Sequence, residues 1–224
     1  MLATTRLFPS SVRLAALALA LAPVVAFAQV DDDDPPDTGP RGLQLTVLGG
    51  PFLPTGEGPE LGSLPLGYAF GGRIGWRFGS SYALELEARR SATSRDPADG
   101  GKLDRIRQFV AVPALRIFGS LGPVRTEGSV GLGVSRSSAH RSTNDATSQA
   151  IGWSTQRRMG LHVGLGAAVP LGDRLDVLAG VSYDGAYATF FAFNPAWIGG
   201  VTFEVGLRFN LFGRGAPAAT PPGS

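Results

Sequence analysis

The stretch VTFEVGLRFNLF, residues 201–212, contains the pattern that decides the fold. Apolar side chains occupy its odd positions from Val201 to Leu211, whereas threonine, glutamate, glycine, arginine and asparagine occupy the even positions. A β-strand points successive side chains to opposite faces, so this period of two indicates a strand with one apolar and one polar face.

Seven earlier segments show the same alternation. Five of the seven have the length of strands that cross a bilayer at a tilt, for which about 9 to 11 residues suffice. Together with the last strand they predict an all-β chain of eight strands. The seven segments are residues 43–47, 68–78, 82–89, 108–117, 127–135, 158–169 and 175–184.

The connections between these segments alternate in length. Long outer loops and short periplasmic turns in strict alternation are typical of outer-membrane barrels. We therefore predict an eight-stranded antiparallel transmembrane β-barrel. The short connections are 79–81, 119–123 and 172–173, and the long ones are 51–65, 91–102, 136–154 and 185–197.

Alternation alone does not decide which face points outward, so a soluble eight-stranded barrel with an apolar interior is the alternative. Three features favour the membrane protein. The polar face is rich in glycine and carries charges in mid-strand, and no helix pattern follows the last strand. Aromatic residues cluster at strand ends, as in the girdles of membrane barrels. They are Trp76, Phe78, Tyr82, Phe118, Phe209 and Phe212.

The last strand resembles the terminal assembly signal of small outer-membrane barrel proteins of Gram-negative bacteria, the group that includes OmpX and the OmpA transmembrane domain. Gly206, Phe209, Leu211 and Phe212 carry this resemblance, and the glycine-rich stretch 128–135 adds to it. The resemblance implies two partners, outer-membrane lipid and the barrel assembly machinery. In the family the signal usually ends the chain, whereas here further residues follow Phe212.

The N-terminus predicts export. Arg6 and Arg13 precede an apolar run that is too short to span a membrane as a helix and that ends on Ala26-Phe27-Ala28. Residues 1–28 are therefore expected to be a cleaved signal peptide. The rest divides into an acidic, proline-rich periplasmic spacer (29–41), the barrel (42–212) and a disordered tail (213–224).

Charge and cysteine content exclude several classes. The chain has 20 basic and 18 acidic residues, and loss of Arg6 and Arg13 with the signal leaves a nearly neutral protein. This balance gives no support for nucleic-acid binding. The absence of cysteine excludes a disulfide scaffold, a thiolate metal site and a lipoprotein anchor.

The charges on the polar face need partners, because an unpaired buried ion is very costly. If 79–81 is a three-residue turn, Arg73 lies directly across from Glu87, and Glu85 lies diagonal to Arg73 and Arg77. A salt-bridged plug is the preferred interpretation, and a narrow or gated pore is the alternative. The predicted interior network is Arg73, Arg77, Glu85, Glu87, Arg89, Arg116, Glu127, Arg158, Asp176, Asp184, Glu204 and Arg208.

No catalytic, cofactor or metal site is predicted. The chain has two histidines, His140 in a long connection and His162 in mid-strand. Barrel enzymes place a histidine beside a serine or an acid, and no serine flanks His162 in the sequence. A serine or an acid could still lie beside His162 on an adjacent strand. Two distant histidines without cysteine give no metal-ligand spacing.

One long connection is unusually aromatic. Phe190, Phe191, Phe193 and Trp197 lie where an exposed loop should be polar. Either the strands continue and place these rings in the outer girdle, or the rings form an apolar contact site at the surface.

The sequence thus favours a non-enzymatic outer-membrane barrel, an envelope scaffold whose surface loops make contacts with an unidentified ligand. A narrow porin-like conduit for small or hydrophobic solutes is the alternative. A barrel enzyme ranks third.

Overall fold

The fold is a closed barrel of eight antiparallel strands that pair in chain order, with the last strand returning to the first. This confirms the predicted fold class. The computed structural model describes residues 42–56, 64–78, 81–94, 105–122, 124–141, 152–188 and 196–212. The predicted signal peptide, spacer and tail, and Phe190, Phe191 and Phe193, lie outside these ranges. The strands are β1 (Gly42–Gly56), β2 (Gly67–Phe78), β3 (Tyr82–Ser94), β4 (Arg105–Leu121), β5 (Val124–Arg141), β6 (Gly152–Pro170), β7 (Leu175–Ala188) and β8 (Ala196–Asn210).

The two faces of the barrel wall are inverted relative to a soluble protein. On β3, Leu84 and Leu86 are each 55% exposed, whereas Glu85 and Glu87 are 3% and 1% exposed. The same division holds on the other strands, so the apolar face points outward and the polar face fills the lumen. This arrangement fits lipid surroundings and excludes the soluble alternative. In the part of the chain that the structure describes, no helix is long and apolar enough to cross a membrane.

Short turns join the strands at one end of the barrel. Phe78 pairs with Tyr82 across the first turn, as predicted, and this sets Arg73 opposite Glu87. The second turn is shorter than predicted, because β4 continues to Leu121 and β5 begins at Val124.

At the other end the strands run further than the alternation indicated. Arg141 of β5 still pairs with Gly152 of β6, well inside the predicted long connection 136–154. Beyond the apolar band the outward residues become polar, as in the hydrogen bond between the Ser138 and Thr155 hydroxyls at 2.9 Å. The apolar signal therefore stops while the backbone ladder continues.

The strands are staggered around the barrel. Register partners followed once around from Ala83, through Ser182 and Phe52, reach Gly67, beside Thr93 on β3. The row thus returns ten residues nearer the end with the long connections. For a strand tilt of about 40°, each row climbs by about 3 Å per strand in the direction from β3 to β8.

Aromatic residues lie on the outward face near both ends, as expected for girdles. The Trp76 and Phe212 rings meet edge to face at 6.1 Å near the turns, and Tyr68 stacks on Phe70 at 6.5 Å near the long connections. Phe118 was predicted as a girdle residue, and that prediction is wrong. Phe118 lies two residues after Arg116 on β4 and so has the same parity, meaning that its side chain points to the same face of the wall. It is therefore buried in the lumen.

Candidate functional site

A ring of four charged side chains crosses the lumen. Arg73 contacts Glu87 (Nε to Oε2, 2.8 Å) and Glu204 (Nη2 to Oε2, 2.6 Å). Arg89 contacts the other oxygens of the same carboxylates, its Nη2 lying 2.5 Å from Glu87 Oε1 and 2.7 Å from Glu204 Oε1. Each carboxylate thus bridges two guanidinium groups, the arrangement in which charge-assisted hydrogen bonds are strongest. The ring ties β2, β3 and β8 together.

A second group lies next to this ring. Arg116 contacts Glu85 (Nε to Oε2, 2.7 Å) and Glu127 (Nη1 to Oε1, 2.9 Å), while Arg208 donates to the other oxygen of Glu127. Arg73 Nη1 lies 3.6 Å from Glu127 Oε1 and so connects the two groups. The ion pairs therefore form one continuous network.

A third group closes the lumen towards the turns. Asn210 accepts a hydrogen bond from Gln44 (2.8 Å) and donates one to Asp176 (3.2 Å). Arg125 Nη1 lies 3.7 Å from Asp176 Oδ2. Sequence reasoning missed Arg125, although it has the same parity on β5 as Glu127 and could have been found from that.

The Phe118 ring adds an apolar surface to this charged interior. The Arg77 guanidinium lies over the ring at 4.2 Å and that of Arg208 at 5.5 Å from its centroid. Guanidinium groups at such distances are attracted to the ring face. Phe118 therefore holds two arginines that come from β2 and β8.

Six arginines and six carboxylates are buried in the described lumen, so their charges balance. All of the predicted network residues are among them except Arg158. That prediction is wrong: Arg158 has the inward parity of His162, but its side chain is exposed near the long connections, where the lumen opens. Arg125 takes its place. The twelve residues are Arg73, Arg77, Arg89, Arg116, Arg125, Arg208, Glu85, Glu87, Glu127, Glu204, Asp176 and Asp184.

His162 lies beside this network with hydrogen-bond partners on both ring nitrogens. Its Nδ1 is 2.8 Å from Asp184 Oδ1 on β7, and its Nε2 is 3.1 Å from Ser129 Oγ on β5. Glu87 Oε2 lies 3.4 Å from the same Nε2. Asp184 also contacts Arg89 at 3.1 Å, which joins the histidine to the ring of charges.

Gly164 makes room for the contact between Ser129 and His162. A Cβ at this position would lie 2.7 Å from Ser129 Oγ and 3.3 Å from His162 Nε2. A side chain at residue 164 would therefore displace the serine hydroxyl or the imidazole.

The order of Asp184, His162 and Ser129 is that of a hydrolase triad, which the sequence had not revealed. With a proton on Nδ1 donated to Asp184, Nε2 can accept the serine proton. The space beside this triad is small. His162 is fully buried, and the cavity beside Ser129, lined also by Arg73, Arg116 and Gly164, has a volume of about 10 Å³. Such a volume holds about one water molecule.

Among the described residues, no cluster of histidine, aspartate and glutamate has the arrangement of a metal site.

Three of the four residues that carry the resemblance to an assembly signal lie on the outer wall, whereas Gly206 shares the inward face of β8 with Glu204 and Arg208. Phe209, Leu211 and Phe212 are exposed on the outer surface, and Gly206 contacts the backbone of β1 closely, since a Cβ there would lie 2.4 Å from the Val47 carbonyl oxygen. β8 ends at Asn210, but the Leu211 amide still donates to the Leu43 carbonyl at 3.0 Å. Their role in assembly stays a prediction.

Of the four predicted contact residues in the aromatic connection, Trp197 is the one that the structure describes. It lies on the outward face of β8, where its Nε1 donates to the Tyr183 hydroxyl and its ring covers Gly185. This position agrees with the interpretation that places the ring in the outer girdle.

Together, these features define a transmembrane β-barrel of eight strands whose described interior is charge-balanced and closely packed. No protein-family model matches the chain, and no curated protein sequence matches it. Among solved structures it is similar to Neisserial surface protein A, with 17% identity over 77% of this chain and 99% of that chain, and a TM-score of 0.58. Similarity to Ail, the attachment invasion locus protein of Yersinia pestis (13% identity, 75% and 99% coverage), has a TM-score of 0.46. The outer membrane protein OprG from Pseudomonas aeruginosa (13% identity, 77% and 97% coverage) scores 0.45. The first of these likenesses shows a shared fold.

Proposed function

We propose that this chain is an outer-membrane protein and acts as a non-enzymatic envelope scaffold, in which a sealed barrel anchors surface-exposed loops for contact. The observation that carries the proposal is the interior network. Six arginines and six carboxylates neutralise one another across the lumen, and the cavity among them measures about 10 Å³. Such an interior serves stability rather than passage.

The outward surface supports the membrane location. On β6, every second residue from 159 to 169 is apolar and faces outward. At about 3.3 Å per residue and a tilt of about 40°, this stretch covers roughly 25 Å along the barrel axis, which matches the apolar band of about 25 Å in such barrels. The end with long connections is then the outer surface, and the turns face the periplasm.

The ring of charges argues against the porin-like conduit. A conducting pore needs a continuous path for water, whereas Arg73, Arg89, Glu87 and Glu204 span the lumen with contacts of 2.5 to 2.8 Å. Eight-stranded barrels have an interior just wide enough to be filled by side chains. The described interior follows that rule.

Conductance measurements test this proposal. Purified wild-type protein in planar bilayers should show no steady unitary conductance. Arg89→Ala, which removes a guanidinium from the ring, should introduce conducting events. Arg90→Ala is the matched control, because Arg90 is the next residue but is exposed on the outer face. Steady unitary steps in the wild-type protein would instead favour the conduit.

A barrel enzyme is the second candidate, since Ser129, His162 and Asp184 are hydrogen-bonded in the order of a hydrolase triad. The small cavity argues against it, because an ester substrate has no room beside Ser129. We expect no labelling by a fluorophosphonate probe in folded protein. Labelling that Ser129→Ala abolishes and Ser182→Ala leaves intact would establish an enzyme and overturn the scaffold.

A further inference from the structure

The outer wall of the barrel carries charge of one sign. All Asp and Glu residues in the described strands face the lumen, and Asp173, the remaining described acid, lies in the turn before β7. The outward face of β3 to β6 nevertheless carries exposed arginines near the long connections. We call this group the arginine belt. It consists of Arg90, Arg105, Arg107, Arg136 and Arg157.

Register places much of the belt at one level. Arg90 pairs with Phe109, Phe109 with Arg136, and Arg136 with Arg157, so these residues form one row across four strands. Because rows climb by about 3 Å per strand, Arg136 and Arg157 lie about 3 and 6 Å above Phe109. Arg107 precedes Phe109 by two residues on β4, is therefore nearer the long connection, and lies about 5 Å above it. Three arginines thus share a level to within a few ångströms.

This level is the edge of the apolar surface. Immediately below the row, Val134 and Met159 are opposed to each other and are 58% and 72% exposed. Phe109, within the row, is also exposed. The belt therefore follows directly on the surface that contacts acyl chains, at the depth where lipid headgroups begin.

The belt is unfavourable for the isolated barrel. Arg136 and Arg157 are directly opposed, with Cβ atoms expected about 5 Å apart, and like charges in that position are destabilising. Among the residues that the structure describes, no carboxylate forms an ion pair with Arg90, Arg136 or Arg157. An external anion would remove the repulsion.

We propose that the arginine belt binds the phosphate groups of a phosphorylated glycolipid of the lipid A type in the outer leaflet. Guanidinium groups bind phosphate through paired hydrogen bonds. The residues lie on the lipid-facing wall rather than at loop tips, which favours a lipid over a soluble polymer or a protein. A groove of about 330 Å³, lined by Leu66, Tyr68, Arg105 and Arg107, adjoins the belt and offers space for a sugar headgroup. This inference rests on the proposed membrane location and not on the sealed interior.

Binding in neutral detergent tests the site. Wild-type protein in dodecyl maltoside micelles, first shown to be folded by circular dichroism, is titrated with diphosphorylated lipid A and followed by intact-complex mass spectrometry. Wild type should bind, and Arg136→Gln with Arg157→Gln should bind roughly 30-fold more weakly, about fivefold per arginine. Arg174→Gln is the matched control, since it removes an exposed arginine at the turn end. Its affinity should be unchanged.

Ligand variants decide the chemistry of the site. Dephosphorylated lipid A should bind weakly, and neither inorganic phosphate nor phosphatidylglycerol should match lipid A. Equal binding by the dephosphorylated lipid, by the double variant or by phosphatidylglycerol would overturn the proposal. Competition by inorganic phosphate at the same affinity would indicate a free-ion site and also overturn it.

Stability separates a ligand site from a structural one. In neutral lipid the double variant should resist urea at least as well as wild type, because the repulsion between Arg136 and Arg157 is gone. A double variant that fails to fold would show that these arginines are structural. If the wild-type protein neither binds lipid A nor conducts ions, the lipid-site proposal fails and the scaffold proposal stands.

Discussion

Substitution of Arg73 by methionine and Glu87 by glutamine, alone and together, measures how dry the barrel interior is. Arg73→Met keeps most of the side-chain volume but removes the partner of Glu87 Oε2 at 2.8 Å and of Glu204 Oε2 at 2.6 Å. Glu87→Gln removes one carboxylate that Arg73 and Arg89 share. The double variant removes one charge of each sign and leaves the interior neutral.

The magnitudes follow from the contacts that remain. Breaking one buried ion pair costs about 3 to 5 kcal/mol. After Arg73→Met, both carboxylates keep Arg89, so we expect a cost near 3 kcal/mol, the lower end of that range. After Glu87→Gln, Arg73 keeps Glu204 and Arg89 keeps Glu204 and Asp184, so we expect a similar cost. The double variant should lose much less than the sum, with a coupling of about 2 to 3 kcal/mol.

Urea unfolding in lipid vesicles, followed by tryptophan fluorescence, gives the four free energies from midpoints and slopes. Arg90→Met is a control on the outer face and should change stability by less than about 0.5 kcal/mol. Exposed ion pairs contribute about 0 to 1 kcal/mol, so a coupling above about 1.5 kcal/mol supports a dry interior. A coupling near zero, with both single variants stable and newly conducting, would refute the sealed plug.

Three further predictions concern assembly and the edge of the network. Folded protein should resist detergent and migrate differently on gels before and after boiling, because a closed barrel satisfies its backbone groups within lipid; identical migration with full protease sensitivity would contradict the barrel. Phe212→Ala should reduce the amount of folded barrel in outer-membrane fractions, whereas deletion of 213–224 should not; the reverse result would place the assembly signal elsewhere. Arg125→Gln should lower the free energy of unfolding by about 3 kcal/mol, because it leaves buried Asp176 with a weakened set of partners. The exposed Arg158→Gln should lower it by less than about 0.5 kcal/mol, and equal effects in urea titrations would argue against the assignment of the two residues.

Parity was the part of the fold that alternation could predict. A period of two assigns each residue to the inward or the outward face of the wall. A shift by one residue would turn the charged side chains outward into the apolar band, which is energetically costly. This is why Glu85, Glu87 and Glu204 could be placed in the lumen before their partners were known. Where parity was not applied, at Phe118 and Arg125, the prediction was wrong or missing.

Depth along the barrel is less visible in the sequence than parity. Arg158 has the inward parity, but it lies at the height where the lumen opens. That height is known only once the ends of the strands are known. The strands continue beyond the apolar band as a backbone ladder, which side-chain hydrophobicity does not report. The predicted long connections were therefore too long, and a residue near their border could be assigned to the interior.

Register could be counted only across the short turns. Three residues between Phe78 and Tyr82 place Arg73 opposite Glu87, and that prediction is confirmed. The turn between β6 and β7 was predicted as 172–173, and counting across it places His162 opposite Tyr183. In the structure three residues separate Leu171 from Leu175, and His162 lies opposite Asp184. Because Tyr183 belongs to the outward face, the alternation of faces corrects the count, and half of the hydrogen-bonded trio was within reach of the sequence.

The other half of that trio depends on a long connection. Ser129 lies on β5 and His162 on β6, and residues 142–151 between these strands impose no register that a sequence reveals. A slip of two residues would preserve every face and yet move the serine hydroxyl by about 7 Å relative to the imidazole. Parity thus decides that such residues share the lumen, whereas the packing of the whole charged interior decides which of them touch. The same packing that brings Ser129 to His162 also leaves a cavity of only about 10 Å³ beside them, so the contact and the lack of substrate space have one cause.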